Sequence, residues 1–169
     1  MDTEIWEWIK SILIAVILAV LIRFFVLEVF LVDGSSMLPT LRDRERLIVN
    51  KFQYQFQEPK AGDVLIFSFS EDRDFIKRVI GLPGDEIMVE EGEIFVNGLF
   101  FSEDYIAEST NGHYGPVTVP DGYYFVMGDN RNNSMDSRDP AVGFVSGEKI
   151  KGKAFLVFWP LQNMRLINH

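Results

Sequence analysis

Lys77 lies in Phe75-Ile76-Lys77-Arg78-Val79-Ile80, a strand-like run whose period-2 alternation puts its ammonium on the same face as Phe75 and Val79. Burial disfavours the charged form, so a lysine held on an apolar face can be neutral near pH 7 and act as a base. The other reading is a stem laid along apolar surface with its head in water. Two further segments bear on the choice. Ser36 stands in Gly34-Ser35-Ser36-Met37-Leu38-Pro39-Thr40, where glycine, paired serines and proline bend the chain and can expose a side chain. Gly128 to Arg138 is an eleven-residue polar segment directly after the apolar run Tyr123 to Met127. It is either a solvated loop or, because polar groups beside a core must find partners, a segment able to orient a neighbouring base.

Composition removes several competing chemistries. The two histidines are His113, in a Gly-rich stretch, and His169, at the last position, which argues against a Ser-His-Asp triad. With no cysteine, thiol chemistry, disulfides and Cys-based zinc sites are excluded. Sixteen basic against 25 acidic residues give a net charge of −9, which repels nucleic acid, and no basic run offers it a footprint. A hydrophobic content of 47% over 169 residues predicts one cored domain with an appendage rather than disorder. No metal or other cofactor is implied.

The elements that must position these residues fall in two parts. Ile12 through Ile22 is an unbroken apolar run, preceded by Trp6, Trp8, Ile9 and Lys10 and followed by Arg23. Counted from Trp6, with Arg23 snorkelling and Phe24 to Leu27 continuing it, the segment nears the ~20 residues of a membrane span. It is apolar all round, unlike a core helix, and it lacks the Ala-x-Ala site of a removable leader. We read residues 1–28 as a retained membrane anchor, whose flanking charges leave its sidedness open, and residues 29–169 as an all-β domain. Strands are expected at Leu47–Val49, Val64–Phe69, Phe75–Ile80, Ile87–Val89, Ile94–Val96, Val117–Val119, Tyr123–Met127 and Phe155–Phe158, antiparallel around a barrel-like core. Asn97-Gly98 is the clearest hairpin turn. Phe52, Tyr54 and Phe56, alternating with glutamines, read as one more half-buried strand, and Leu99-Phe100-Phe101 as either core or a lipid-touching loop.

Together the segments resemble type I signal peptidases, the Ser-Lys membrane proteases that remove signal peptides from exported proteins. Gly34 to Thr40 looks like the family's serine box, Gly62-Asp63-Val64 its Gly-Asp box, Phe75 to Asp85 its lysine box and Gly128 to Arg138 its C-terminal box, in family order after an apolar segment. The likeness covers nearly the whole chain, and the short body is most similar to the Gram-positive branch. Lysine at position 77, where the endoplasmic-reticulum type has histidine, marks the prokaryotic type.

What the resemblance implies can be stated by position. Ser36 is the expected nucleophile and Lys77 the general base. Ser134 is expected to hydrogen-bond the lysine amine, with Asp136 and Arg138 as a supporting ion pair. The Ser36 N–H is one expected oxyanion donor. Gly34 stands where Gram-negative members have a serine hydroxyl, so the second donor is Ser35 or a neighbouring amide. Val32, Leu41, Phe75 and Ile76 would line shallow pockets for small substrate residues one and three positions before the cut. The resemblance also implies exported preproteins and the lipid bilayer as partners, a monomer, and a catalytic domain on the extracytoplasmic face of the bacterial cytoplasmic membrane. The competing readings are a self-cleaving Ser-Lys regulatory domain, which would need a helix-turn-helix in place of the apolar segment, and a non-enzymatic tethered β-domain.

Overall fold

The computed structural model describes residues 2–167; His169 lies outside the described residues, as do the side chains of Arg23, Phe24 and Phe25. The chain opens with a 24-residue helix, α1 (Asp2–Phe25). Ile12, Leu13 and Ile14, which step about 100° apart around the axis, are all exposed, as are the other described side chains of the helix. Among the described residues, no helix is long and apolar enough to cross a membrane. The helix also stops before residue 28. Leu27 and Glu28 already belong to a strand, because the chain there pairs in extended form with a strand of the sheet.

All twelve strands pair antiparallel. They are β1 (Leu27–Leu31), β2 (Arg46–Asn50), β3 (Val64–Ser70), β4 (Arg73–Gly81), β5 (Glu86–Glu90), β6 (Glu93–Val96), β7 (Leu99–Phe100), β8 (Tyr114–Thr118), β9 (Tyr123–Met127), β10 (Val145–Ser146), β11 (Ile150–Trp159) and β12 (Arg165–Leu166). The larger sheet runs β1-β2-β11-β3-β4-β9-β10, with β12 also on β11; the smaller runs β7-β6-β5-β8. The barrel-like expectation is therefore corrected: β1 and β10 end the larger sheet without pairing with each other. Two-residue turns close the hairpins of the smaller sheet, with positive φ at both Glu91 and Gly92 and at both Asn97 and Gly98, as type I′ geometry requires.

The first four residues of the central strand β3, Val64–Phe67, are apolar without alternation because both faces are covered there. Val64 and Ile66 enter a core with Met37, Leu41, Leu47 and Val157, while Leu65 and Phe67 enter another with Val79 and Val126. A third core, around Ile80, Ile87 and Phe125, joins the smaller sheet to the larger. The expected strand through Phe52–Phe56 is a short 3₁₀ turn instead, Gln53–Gln55. The Asn50 side chain accepts from the Phe52 and Gln53 N–H groups and turns the chain there. Leu99 and Phe100 are exposed, whereas Phe101 packs on the third core.

Gly152 sits where β11 passes β2, and a Cβ there would strike the Asn50 carbonyl and the Val49 side chain. Gly152→Ala is accordingly expected to destabilise the domain by about 1–3 kcal/mol, read as a fall in thermal midpoint followed by circular dichroism.

Candidate active site

Ser36 is carried by the turn between β1 and β2. That turn is pinned at its base by Val32 N–H to Glu45 O (2.8 Å), Arg44 N–H to Val32 O (2.9 Å) and Gly34 N–H to the Asp43 carboxylate (2.9 Å). Gly34 has φ +97°, a left-handed conformation that admits the sharp bend. Met37 and Leu41 point down into the first core, which holds the turn by its apolar side and leaves Ser36 half-buried at the rim.

Lys77 reaches this rim from β4. Its Nζ is 2.8 Å from Ser36 Oγ and 3.1 Å from the Ile76 carbonyl oxygen, and the residue is only 4% exposed. The Phe75 ring centre lies 5.0 Å from the amine and is itself stacked on Phe69 at 4.3 Å. Burial lowers the lysine pKa from 10.5 to about 8, against the opposing pull of Asp136 and then Asp129. A hydroxyl beside an amine that is partly neutral at neutral pH is chemically a nucleophile beside its base.

The loop after β9 closes the site from behind. Asp136 is fully buried and paired with Arg138 through Nε–Oδ1 (2.8 Å) and Nη2–Oδ2 (2.9 Å), and it accepts the Gly128 N–H (3.0 Å). Ser134 differs from expectation. Its Oγ is buried without a hydrogen-bond partner among the described residues, and the amine of Lys77 bonds the carbonyl of its own strand at Ile76 instead. Ser134 lies against Gly128, where a Cβ would collide with both the Ser134 hydroxyl and the Ser36 carbonyl. Ser35 Oγ accepts from Asn133 Nδ2 at 3.0 Å.

A cleft of about 320 Å³ opens in front of the pair, walled by Phe30 to Met37 on one side and Arg73 to Lys77 on the other. Val32, Phe75 and Ile76 line it, but Leu41 does not. The Leu41 N–H closes a turn onto the Met37 carbonyl, which drives its side chain into the core. The β4 wall is an open sheet edge: β3 covers one side of Arg73–Lys77, while β9 pairs only from Arg78 onward.

Sequence reasoning missed the residues that hold the two halves together. Asp129 binds Arg78 through two oxygens (Nε–Oδ1 2.9 Å, Nη2–Oδ2 2.8 Å) and accepts from Thr40 Oγ1 at 2.5 Å. One carboxylate thus ties the residue after Lys77 to the turn carrying Ser36. Arg78 also donates to the Gly62 carbonyl (2.8 Å) and stacks over Tyr105 at 3.9 Å. Asp63 joins Tyr54, Lys60 and Lys153; burial pushes its pKa up, and Lys153 with its other donors brings it below the ordinary value. The available signal was a polar loop following an apolar strand, which says that partners exist without saying which.

The fold and cleft define a β-sheet protein with a serine–lysine pair at the foot of an open strand edge. The family model described as signal peptidase, peptidase S26, matches residues 5–159. A probable signal peptidase I-2 of Synechocystis sp. is 46% identical over 94% of this chain and 75% of its own length. Signal peptidase I of Bacillus licheniformis is 43% identical over 96% of this chain and 92% of its own, and signal peptidase I T of Bacillus subtilis 44% identical over 94% and 88%. A crystal structure of a signal peptidase I from Enterococcus faecalis superposes with a TM-score of 0.51 at 33% identity, covering 57% of this chain and 97% of that one. The chain belongs to the signal peptidase family, peptidase S26.

Asp129→Ala leaves the buried Arg78 guanidinium without this carboxylate and is expected to cost about 3–5 kcal/mol, read as a lower denaturant midpoint at unchanged slope. Pairing it with Arg78→Met is expected to recover much of that loss, because the uncompensated charge is removed as well.

Proposed function

We propose that this protein is a membrane-bound endopeptidase that cuts signal peptides from exported preproteins after small residues, with Ser36 as nucleophile and Lys77 as general base. The observation that carries the reading is the 2.8 Å approach of Lys77 Nζ to Ser36 Oγ, with burial lowering the amine pKa to about 8. In the neutral amine the nitrogen lone pair accepts the Ser36 proton as Oγ attacks the scissile carbonyl. The carbonyl π electrons move to oxygen. Collapse of that tetrahedral species expels the amine of the mature protein, which takes the proton from Lys77, and leaves an ester on Ser36. Lysine then activates the water that hydrolyses the ester.

The developing oxyanion is assigned to the Ser36 N–H and to the Ser35 hydroxyl, whose oxygen is held by Asn133. Asp136 and Arg138 support the base from behind, and Ser134 forms the wall against Gly128. The preprotein enters as an extended strand along the open edge of Arg73–Lys77, its main chain paired and its alternate side chains read against Val32, Phe75 and Ile76. Small residues suit these shallow walls.

The anchor of residues 1–28 is assigned to helix α1 and the start of β1, and the β-domain to residues 29–169. A 24-residue helix measures about 36 Å at 1.5 Å per residue, longer than a bilayer core of ~30 Å. The outer face of the larger sheet continues the apolar surface: Val29, Ile48, Leu156 and Leu166 are aligned across β1, β2, β11 and β12, with Val29 and Leu166 exposed. Such a row suits a bilayer interface. The domain is accordingly assigned, as a monomer, to the extracytoplasmic face of the bacterial cytoplasmic membrane, where enzyme and substrate share one surface. A self-cleaving regulator fits less well, because an exposed apolar helix stands where that reading needs a DNA-binding unit.

Ser36→Ala and Lys77→Ala, purified in detergent with melting transitions like the parent, are each expected to lose on the order of 10³-fold or more in cleavage of an Ala-x-Ala preprotein; retained cleavage by the lysine variant would sink the dyad. Activity requires the neutral amine, so it should rise with pH through about 8, and an acidic limb near 10.5 would mean an unperturbed lysine. Membranes washed at alkaline pH should retain the full chain; release into the soluble fraction would count against the anchor.

A further inference from the structure

The Ser35 carbonyl and the Ser36 N–H belong to one peptide unit, which is planar and trans, so they point in opposite directions. Whatever grips the carbonyl therefore aims the N–H. Two donors reach the Ser35 oxygen: Leu38 N–H at 3.1 Å and Asn130 Nδ2 at 3.0 Å. The Leu38 bond lies within the turn itself. It shapes the turn but cannot orient it against the strand that carries Lys77. Asn130 comes from the opposite side of the site, from the loop that Asp129 fastens to Arg78 beside the base. Its backbone N–H also donates to the next carbonyl, that of Ser36, at 3.0 Å, and its own carbonyl is held by Asn133 N–H at 3.0 Å. The Ser36 N–H makes no hydrogen bond among the described residues, and Ser36 lines the cleft.

We infer that Asn130 is a positioning residue: by holding the Ser35 carbonyl toward the C-terminal loop, its side-chain amide points the Ser36 N–H out into the cleft, where the scissile carbonyl oxygen gains its negative charge. This rests on the Ser36–Lys77 reading above and adds to it the group that sets the oxyanion donor's direction. The residue type follows from the chemistry. A carbonyl needs a donor, which the asparagine amide supplies, whereas an aspartate of the same shape presents only acceptors and repels it. The geometry acts on transition-state charge and not on substrate binding, so its loss belongs in kcat.

The test compares the full chain with Asn130→Ala and Asn130→Asp in detergent, alongside Ser36→Ala. The side-chain changes leave the Asn130 backbone N–H bond to Ser36 in place, so the loop keeps one tether. Both variants are expected to lose roughly 10- to 100-fold in kcat, the aspartate at least as much as the alanine, with KM and the acidic limb of the pH profile unchanged. A peptide aldehyde that adds to Ser36 Oγ, forming a tetrahedral adduct, should lose affinity by a similar factor. A reduced-amide peptide, which has no scissile carbonyl, should bind as it does to the parent. A kcat within about two-fold of the parent overturns the inference. So does an equal loss of reduced-amide binding, a displaced acidic limb, or loss of the melting transition in both variants, since each assigns Asn130 to substrate contact, to the base or to the fold. Full activity in Ser36→Ala would instead overturn the dyad on which the inference stands.

Discussion

The arrangement depends on keeping one amine partly uncharged within reach of two buried carboxylates. Asp136 and Asp129 both favour the protonated form of Lys77, and burial overrides them, bringing the pKa down to about 8. The balance is achieved because each carboxylate is engaged by its own arginine, Asp136 by Arg138 and Asp129 by Arg78, in two-point contacts. Acidic groups can then stiffen the loop behind Lys77 without acting as its counter-ion. The aromatic stack of Phe75 on Phe69 closes the remaining side with apolar surface.

The same ion pairs explain why the site needs most of the chain. Thr40 and Asp129 are 89 positions apart, Arg78 and Asp129 51, and Ser35 and Asn130 95. Ser36, Lys77 and the loop behind them come from three regions that have no local tendency to meet. Further ties hold the frame: Arg165 joins Glu45 and the Thr40 carbonyl, and Arg131 joins Glu103. Tyr105, lying over the Arg78 guanidinium, couples the region around the smaller sheet to this network.

The free edge beside the cleft lies within the larger sheet, where β4 extends beyond its neighbour β9. An unpaired strand edge can receive an extended peptide. Here β9 stops short along β4, leaving Arg73–Lys77 with one free side next to Ser36. Separate pairings, β1 with β2 and β11 with β2 and β12, set Val29, Ile48, Leu156 and Leu166 in one row.

Local physics made much of this legible in advance. Alternation and short apolar runs located eight of the strands and placed Lys77 among apolar neighbours; Asn97-Gly98 specified its turn by its need for positive φ; the uninterrupted apolar run lies within one helix. The Phe52–Phe56 alternation misled because a single side chain, that of Asn50, captured two backbone donors and turned the chain. Residue type alone could not assign partners to the polar loop, since Asp129, Asn130, Asp136 and Arg138 are equally able to hydrogen-bond water. That Asp129 meets Arg78, which carbonyl Asn130 grips and that Leu41 lies in the core were decided only when distant strands came into register. Alternation and turn propensity act between residues a few positions apart, whereas these contacts join segments across half the chain and exist only once the sheets have packed.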